Sequence, residues 1–515
     1  MKKKTGLLLL LLMFLLTLVG CGAPKDEATQ RSGAKLATLE DLKDKRIGIL
    51  LGSVHDAYVA KTFPDATVLQ YKSPSDLVLA VKTGKVDAAF YTHETLLEIL
   101  RGDDEIGFLA ERIFSVPIGM GFKKGNDELR GQFDLFLRQL KESGVFDDMV
   151  RRWILDGTTQ MPDIENPKTN GVLTVGIVSD KGMPFTIVKD NRMIGFDVEM
   201  AQRFAAYLGK ELKLSDMEFG ALIPAVSGNK IDQITSTLMI TQERKKQIDF
   251  SEPYYELGAS AFALKKNLAQ AQGETNAAVA VSGWQSLADS FHNNIIREKR
   301  YLLLLDGLQT TLVLSVSSSF FGTVLGALIC FMRMRKNRLV CSSAKVYIAL
   351  MRGTPVLVLL MLIFYVAFAS VDVNPLIAAV LAFALNFAAY VSEMFRTSIE
   401  SVDKGQTEAG LAGGFSRLQT FVYIVMPQAL RQVMPVYKGE FISLVKMTSV
   451  VGYIALQDLT KASDIIRSRT FDAFFPIVMV AVLYFIVSWS LALALDYAGA
   501  KLDPKQQRKT RRDAL

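Results

Sequence analysis

Five long apolar segments after residue 300 constrain the fold of this chain more than any other feature. Each has about the length of roughly 20 residues that an α-helix needs to cross a bilayer. In order along the chain they are residues 308–332, 355–371, 375–395, 435–456 and 476–498. Such a series cannot be buried in a soluble globule of this size. The sequence therefore predicts an all-α transmembrane domain with five spans over residues 301–515.

The part of the chain before residue 300 follows a different pattern. Over residues 36–265, short apolar runs alternate with helical stretches; for example, 172–178 predicts a strand and 196–208 predicts a helix. This alternation is typical of open α/β lobes. We therefore expect a multidomain protein in which a two-lobed α/β domain precedes the membrane domain. Residues 266–300 are expected to be a linker that ends in an interfacial amphipathic helix.

The first residues carry the features of a bacterial lipoprotein signal. Three lysines precede an apolar run at 7–19, which ends in Leu-Val-Gly before Cys21. The run is too short to favour a retained transmembrane helix. We expect residues 1–20 to be a signal peptide, Cys21 to be lipidated, and 21–35 to be a tether that places membrane lipid among the partners.

The distribution of charge predicts the topology. The net charge is +7, and basic residues are concentrated at 333–345 and 501–512, directly after apolar segments. Basic loops remain on the cytoplasmic side of a membrane. Neither cluster has interleaved aromatics or a nucleic-acid motif, so we expect no nucleic-acid partner. The prediction is a multi-pass protein of the bacterial cytoplasmic membrane with residues 21–300 on the extracytoplasmic side.

A polar stretch between the third and fourth apolar segments carries a recognisable motif. Glu408, Ala409 and Gly410 are followed by Gly414 and Pro427. This spacing resembles the cytoplasmic coupling loop of importer-type ABC transporter permeases, whose usual form begins Glu-Ala-Ala, so that only Gly410 departs. In that family, two short helices joined near the glycine dock onto a separate ATPase. The chain has no phosphate-binding Gly-x-x-x-x-Gly-Lys-Ser/Thr loop, so the ATPase is expected on another polypeptide.

The membrane half as a whole resembles permeases for polar amino acids. Four stretches carry the resemblance: 305–311, 352–355, 389–396 and 401–406. The resemblance implies an ATP-driven importer for polar amino acids or similar small solutes, and a transporter component rather than an enzyme. One such chain supplies half of a translocation path, so a permease dimer is expected.

The α/β part resembles the periplasmic solute-binding proteins of the family 3 type, but in a changed order. Residues 171–265 resemble lobe 1 of that family through the motifs Gly-Phe-Asp at 195–197, Leu-Ile-Pro at 222–224 and Asp-Phe-Ser-Glu-Pro-Tyr at 249–254. Residues 36–115 resemble lobe 2, 116–156 resemble the crossover and the closing helices of lobe 1, and 157–170 remain as a linker. We interpret this order as a circular permutation in which one interlobe crossing, near 116–122, is intact and the other is cut. Two truncated copies of different binding proteins are the alternative.

The same resemblance implies which residues bind the solute. Arg244 is expected to hold a carboxylate, with Phe219 as an aromatic platform. Hydroxyl and backbone donors from lobe 1, and a helix N-terminus from lobe 2, complete the expected carboxylate site. The residues concerned are Ser236 and Thr237 of lobe 1, and Ser53, Val54 and His55 of lobe 2.

Two positions depart from the amino-acid-binding pattern. The aspartate that binds the ammonium group in the family aligns with Thr92, and its stacking tyrosine aligns with Gly182. Glu94 or Asp180 are the candidate replacements for that aspartate. The identity of the solute is therefore left open by the sequence.

Other classes of function are less well supported. His55 and His93 have neither a cysteine nor a convergent carboxylate at metal-ligand spacing, so no metal and no cofactor are predicted. The alternative function is a ligand-gated channel or a solute sensor built on binding-protein lobes. A channel would need a filter-like segment between spans, and it has no need for the Glu408 loop.

Overall fold

The computed structural model describes residues 35–51, 53–101, 103–269, 288–369, 371, 373–470, 472 and 474–502. The predicted signal peptide, the predicted lipidation site Cys21 and tether residues 21–34 lie outside the described residues. Mixed α/β sheets and long apolar helices make up the described part, so the predicted multidomain architecture is confirmed at that level.

Two five-stranded sheets form the two lobes of the α/β part. Lobe 2 has the strand order β2-β1-β3-β12-β4, and lobe 1 has the order β11-β5-β10-β6-β9. A short hairpin, β7-β8, extends lobe 1. The strands are β1 (Arg46–Leu50), β2 (Thr67–Tyr71), β3 (Ala88–Thr92), β4 (Ile106–Ile118), β5 (Gly121–Lys123), β6 (Val172–Ile177), β7 (Ile187–Lys189), β8 (Arg192–Ile194), β9 (Glu211–Asp216), β10 (Gln233–Ile234), β11 (Ile248–Phe250) and β12 (Tyr255–Leu264).

Helices cover these sheets and connect their strands. Those of the α/β part are α1 (Val54–Thr62), α2 (Pro74–Lys82), α3 (His93–Arg101), α4 (Asp127–Glu142), α5 (Val145–Val150), α6 (Phe196–Tyr207), α7 (Leu222–Ser227) and α8 (Gln242–Lys245). Local sequence sets their ends: α2 begins with Pro74 after Ser73, whose Oγ accepts a hydrogen bond from the backbone N–H of Asp76. All five residues of β3 are buried, as expected for a central parallel strand.

Both interlobe crossings are present, which corrects two predictions. The first leads from β4 to β5 near Gly119, as expected, and the second leads from β11 through 251–254 into β12. Strand β12 pairs with β3 and β4 of lobe 2, so the predicted extent of lobe 1, 171–265, was wrong at its end. Eight of its ten residues are buried, which only the centre of a sheet allows.

The cut in the predicted permutation therefore lies within lobe 2 rather than at a crossing. The N–H of Leu36 donates to the carbonyl of Asn267 at 2.8 Å, and the N–H of Ala269 donates to the carbonyl of Leu36 at 2.9 Å. The two ends of the α/β part are thus hydrogen-bonded neighbours, which is the arrangement that a circular permutation requires.

The membrane part consists of helices α9 to α17. They are α9 (Tyr301–Arg333), α10 (Arg338–Gly353), α11 (Val356–Met361), α12 (Pro375–Glu400), α13 (Lys404–Ala412), α14 (Arg417–Thr420), α15 (Met426–Met447), α16 (Leu459–Thr470) and α17 (Phe474–Leu502). Among the described residues, three helices are long and apolar enough to cross a membrane, or up to five if each of two bent pairs is one span. The bent pairs turn by 108° between 353 and 356 and by 58° between 454 and 459.

Helices α9 and α12 make the most extensive contact between two helices of this part. A Cβ added at Gly322 would lie 3.0 Å from the carbonyl oxygen of Ala384, and one at Gly326 would lie 2.9 Å from that of Ala388. Glycine at these two positions, four residues apart, lets the backbones approach, as in small-residue packing between membrane helices. The resulting cluster of apolar side chains continues without a break from α12 to α7 of lobe 1.

Several charged residues in the membrane helices form ion pairs. Glu393 of α12 contacts both Arg333 and Arg396, the second at 2.9 Å, and Lys438 contacts Asp496 at 2.8 Å. The arrangement around Glu393 agrees with mutual neutralisation of neighbouring charges on one helix face.

Candidate solute-binding cleft and coupling loop

A cavity of about 300 Å³ lies between the two lobes. Its lining residues follow the carboxyl ends of six parallel strands, three in each lobe. In lobe 2 these strands are β1, β2 and β3, and in lobe 1 they are β6, β9 and β10. This edge is where open α/β sheets bind ligands, because strand ends leave short loops and helix N-termini pointing at a crevice.

The lobe 1 wall carries two cations against one aromatic ring. Lys181 Nζ lies 4.6 Å from the ring centre of Phe219, and Arg244 Cζ lies 5.3 Å from it. Thr241 caps α8 and orients Arg244, which also donates from Nη1 to the carbonyl of Met239 at 2.8 Å. Two cations beside one ring give this wall the charge that a carboxylate requires.

The lobe 2 wall is built on the N-terminus of α1. Ser53 precedes this nine-residue helix and lines the cavity together with His55. Among the described residues, neither the Ser53 hydroxyl nor either ring nitrogen of His55 has a hydrogen-bond partner. Burial, reinforced by the charge of Lys181, lowers the pKa of His55 to about 4. His55 is therefore neutral near pH 7 and can offer one N–H donor to a ligand.

The structure brings together most of the residues predicted for the site. Phe219, Thr237, Arg244, Ser53, His55 and Thr92 all line the cavity. Ser236 is buried beside it without lining it, and its hydroxyl has no partner among the described residues. Val54 packs instead against the apolar core of lobe 1.

Two carboxylates line the cavity, and only one of them was considered from the sequence. Asp180 and Glu218 are both in the wall. Glu94, the other predicted replacement for the missing aspartate, is buried and engaged by Arg112 at 3.2 Å and by the N–H of Gly258. Glu94 is therefore held by residues of β4 and β12 and is not in the cavity wall.

Lys181 and Glu218 were missed by the sequence-based reasoning. A positional signal was nevertheless available. Lys181 follows β6 and Glu218 follows β9, at the same sheet edge as Thr237. A search for charged residues directly after the predicted parallel strands would have identified both Lys181 and Glu218.

Burial shifts the ionisation of Lys181 in this wall and of Asp197, which interacts with it. The pKa of Lys181 is lowered to about 8, first by burial and then by the charge of Arg244. Burial raises the pKa of Asp197 to about 7, although Lys181 opposes the shift. Lys181 in the cavity wall and Asp197, which interacts with it, thus change charge close to neutral pH.

The membrane part closes one side of the cavity. Tyr453 lines it, and the N–H of Glu218 donates to the carbonyl of Gly452 at 3.1 Å. Both lobes contact α16: Lys461 Nζ lies 3.2 Å from Asp180 Oδ1 in lobe 1, and Arg467 contacts Asp76 in lobe 2.

The Glu408 loop forms two short helices joined by a turn. Helix α13 ends at Ala412, and Gly414 has φ +85°, a conformation that favours glycine. Ser416 and Gln419 then form a capping box at the start of α14. Pro427 lies in the first turn of α15, directly after a π-helical turn at Phe421–Val425.

The predicted departure at Gly410 has a structural reason. Gly410 is buried, and a Cβ there would lie 2.7 Å from Thr420 Cγ2 and 2.8 Å from Ile424 Cδ1. Glu408 and Ala409 of the same helix are exposed. Exposed apolar side chains also mark this loop: Leu411 (42%), Phe415 (43%), Leu418 (73%) and Tyr423 (67%).

The chain is similar to two groups of known proteins. Residues 173–422 match the family of bacterial extracellular solute-binding proteins, family 3. The L-cystine transport system permease protein TcyB of Bacillus subtilis is 36% identical over 213 residues, which are 41% of this chain and 91% of that protein. The putative glutamine transport system permease protein GlnP of Rickettsia bellii is 33% identical over 190 residues, 36% of this chain and 87% of that one.

A third relative and one solved structure extend the comparison. The nopaline transport system permease protein NocM of Agrobacterium fabrum is 34% identical over 212 residues, covering 39% of this chain and 88% of that protein. A crystal structure of an amino acid ABC transporter with histidines is 33% identical, with a TM-score of 0.37, and covers 39% of this chain and 95% of that one.

Proposed function

The chain belongs to the family of amino-acid ABC transporter permeases, and on that premise we propose that it unites the solute-binding and the permease subunit of one importer. It is a component of an ABC-type importer for amino acids or similar solutes, and not an enzyme; these sequence-based predictions are confirmed. It works with an ATPase partner and lies in the inner membrane as a multi-pass protein.

The solute is an α-amino acid or a close analogue, bound in the cavity between the lobes. The observation that carries this proposal is the separation of charge in the cavity wall. Lys181 and Arg244 both lie against the ring of Phe219, while Asp180 and Glu218 supply negative charge. A zwitterion matches such a wall, because each end of the molecule meets charge of the opposite sign.

The carboxylate of the solute is bound by Arg244 and Lys181 from lobe 1. From lobe 2, the hydroxyl of Ser53 and the N-terminus of α1 approach the same group. The hydroxyl of Thr237 and the ring of His55, both without partners among the described residues, add donors. Ser236 and Val54 shape the site without lining it, and Thr92 contributes a neutral wall. The ammonium is bound by Asp180 and Glu218 in place of the aspartate that Thr92 replaces.

The membrane part crosses the bilayer five times, with each bent helix pair counted as one span. Residues 21–300 are extracytoplasmic, and Cys21 attaches the chain to membrane lipid. The α/β part is one circularly permuted binding domain. Support comes from its two complete sheets and from the pairing of Leu36 with Leu268.

Two chains form the translocation path, and each presents its coupling loop to the ATPase. Support comes from the exposed Glu408 and Ala409, the glycine turn at Gly414 and the apolar side chains that surround them. Pro427 lies where the loop continues into the first turn of α15. Nucleic acid takes no part in this function.

Calorimetry on the full chain in lipid nanodiscs tests the proposal. We expect at least one of the standard L-amino acids or L-cystine to bind, and Arg244→Ala to weaken that binding roughly ten- to a hundredfold, since charge-assisted hydrogen bonds contribute about 1.5–3 kcal/mol. Arg138→Ala is the matched control, because Arg138 makes an exposed ion pair with Glu252 on the same lobe and should leave affinity unchanged. Equal affinity of the Arg244→Ala variant and the wild type would refute the carboxylate site.

A further inference from the structure

A lysine of the membrane part is inserted into the acidic side of the binding cavity. Lys461 of α16 is 3% exposed, and its Nζ lies 3.2 Å from Asp180 Oδ1, 3.8 Å from Glu218 Oε1 and 4.0 Å from Asp216 Oδ1. Three carboxylates of lobe 1 thus surround one ammonium group that lobe 1 does not supply. The contact joins the binding domain to the membrane domain.

Two of these three carboxylates also line the solute cavity. Asp180 and Glu218 are in its wall, whereas Asp216 lies behind them and accepts hydrogen bonds from the N–H and the hydroxyl of Ser179. Asp180 and Glu218 therefore have one side toward Lys461 and another toward the cavity. The same two side chains are the anions to which we assign the ammonium of the solute.

A buried group of carboxylates needs a cation close by, because the cost of removing several negative charges from water is otherwise uncompensated. Burial raises the pKa of both Asp216 and Glu218, and the charge of Lys461 opposes that rise. The ammonium of an amino acid and the end of a lysine side chain are both primary ammonium groups. Either one can neutralise this cluster.

We propose that Lys461 and the ammonium of the solute compete for Asp180 and Glu218, so that insertion of Lys461 releases the solute toward the membrane part. The inference rests on the proposed function, since it assumes a solute with an ammonium group. Lys461 is a release residue in this scheme: it lowers the affinity of the docked domain and does not add to recognition of the solute.

The surrounding contacts hold Lys461 in place for this exchange. The backbone hydrogen bond from Glu218 to Gly452 ties one of the shared acids directly to the membrane part. Tyr453, the next residue, lines the cavity. The acidic side of the cavity is therefore the side that faces the membrane domain, where a released solute must go.

Helix α16 offers a matched comparison. Arg467 is also buried and also pairs with the binding domain, but its partner Asp76 belongs to lobe 2 and does not line the cavity. Substituting Arg467 removes an ion pair between the two domains, but it leaves no carboxylate of the cavity wall without its cation. A purely structural role of Lys461 predicts the same behaviour for both residues, whereas competition predicts different behaviour.

Calorimetry on the full chain in nanodiscs tests the inference. The probes are the standard L-amino acids, L-cystine and, for each one that binds, its analogue without the α-amino group. We expect Lys461→Gln to bind the amino acid roughly tenfold tighter or more, because a competing charge-assisted contact is lost. The same variant should show no gain for the analogue, and Arg467→Gln should bind as the wild type does. Lys461→Met, which keeps the length of the side chain, repeats the test if the glutamine variant does not fold.

The results separate this inference from the function on which it rests. A wild-type chain that binds an amino acid, with a Lys461→Gln variant of equal or lower affinity, overturns the release role and leaves the importer assignment intact. An equal gain in Arg467→Gln also overturns it, because loosened docking would then explain the effect. Absence of amino-acid binding by every form refutes the proposed solute and this inference together.

Discussion

At the scale of single residues, Lys181 is a group of the cavity wall whose charge changes with pH close to neutrality. Its pKa of about 8 results from burial and from Arg244. Binding of a carboxylate favours the protonated amine, so the contribution of Lys181 is complete below pH 8 and is lost as the pH rises through that value. We expect the affinity of the full chain for its amino acid to fall between pH 7 and 9.

The change Lys181→Arg separates this effect from ionisation of the solute itself. An arginine stays protonated over the whole range, so the variant should lose only the part of the pH dependence that Lys181 causes. Calorimetric titrations at half-unit intervals from pH 6.5 to 9.5 would measure it. Identical pH profiles for the two proteins would show that Lys181 does not contact the carboxylate.

The resemblance to binding proteins pointed to Arg244, Phe219 and Thr237, and all three line one cavity. Their role in binding the solute stays a prediction. Lys461 received no prediction, since it lies 281 positions from Asp180 and no local pattern connects them. A contact between two domains depends on how the domains dock, and no short sequence motif encodes that docking.

At the scale of elements, α13 packs closely against Thr420, the last residue of α14, and against Ile424 in the helical turn that follows it. Gly410→Ala would push a methyl group against Thr420 and Ile424, at 2.7 and 2.8 Å. Overpacking of this kind costs about 1–3 kcal/mol. We expect amide hydrogen exchange over residues 404–425 to become roughly five- to a hundredfold faster.

Two variants make this prediction specific. Thr420→Ser removes the nearest methyl group, so the double variant with Gly410→Ala should recover part of the protection. Gly439→Ala is the control, because no atom lies within 4 Å of a Cβ at that position of α15. Unchanged exchange in Gly410→Ala would contradict the packing described here.

The elements of the membrane part were predicted less well than those of the lobes. Pro435 was expected to open a span, but it lies inside α15, which begins at Met426. The first turns of α15 contain polar residues, so a search for apolar runs places the start of this helix too late. Membrane helices also accept an internal proline, since neighbouring groups satisfy the freed carbonyl, so proline is a weaker boundary signal there.

At the scale of the whole molecule, the order of the two lobes makes a testable prediction. If the α/β part is one permuted domain, residues 171–269 joined to residues 35–156 in the reverse order should form the same two sheets. We expect this rearranged protein and the native-order segment 35–269 to unfold cooperatively and to bind the same amino acid with affinities within about threefold. Thermal unfolding and calorimetry on the two soluble proteins would measure this.

Failure of the rearranged protein to fold, while the native-order segment folds and binds, would favour two separate partial domains. The sequence could not decide between these alternatives. Strand β12 is buried on both faces in lobe 2, yet it directly follows motifs of lobe 1. Its assignment depends on pairing with β3 and β4, whose paired residues lie far away in the sequence, as Ala259 does from Phe114.

The hydrogen bonds around Leu36 also have a mechanical consequence. Chain enters and leaves the binding domain at a single spot on lobe 2, at Leu36 and Leu268, while lobe 1 has no exit of its own. A force transmitted through either connection therefore acts at one place on lobe 2 and does not push the two lobes apart or together. Opening and closing of the lobes therefore need not stretch either connection, and the position of the domain on the membrane part is set by the contacts of both lobes with α16.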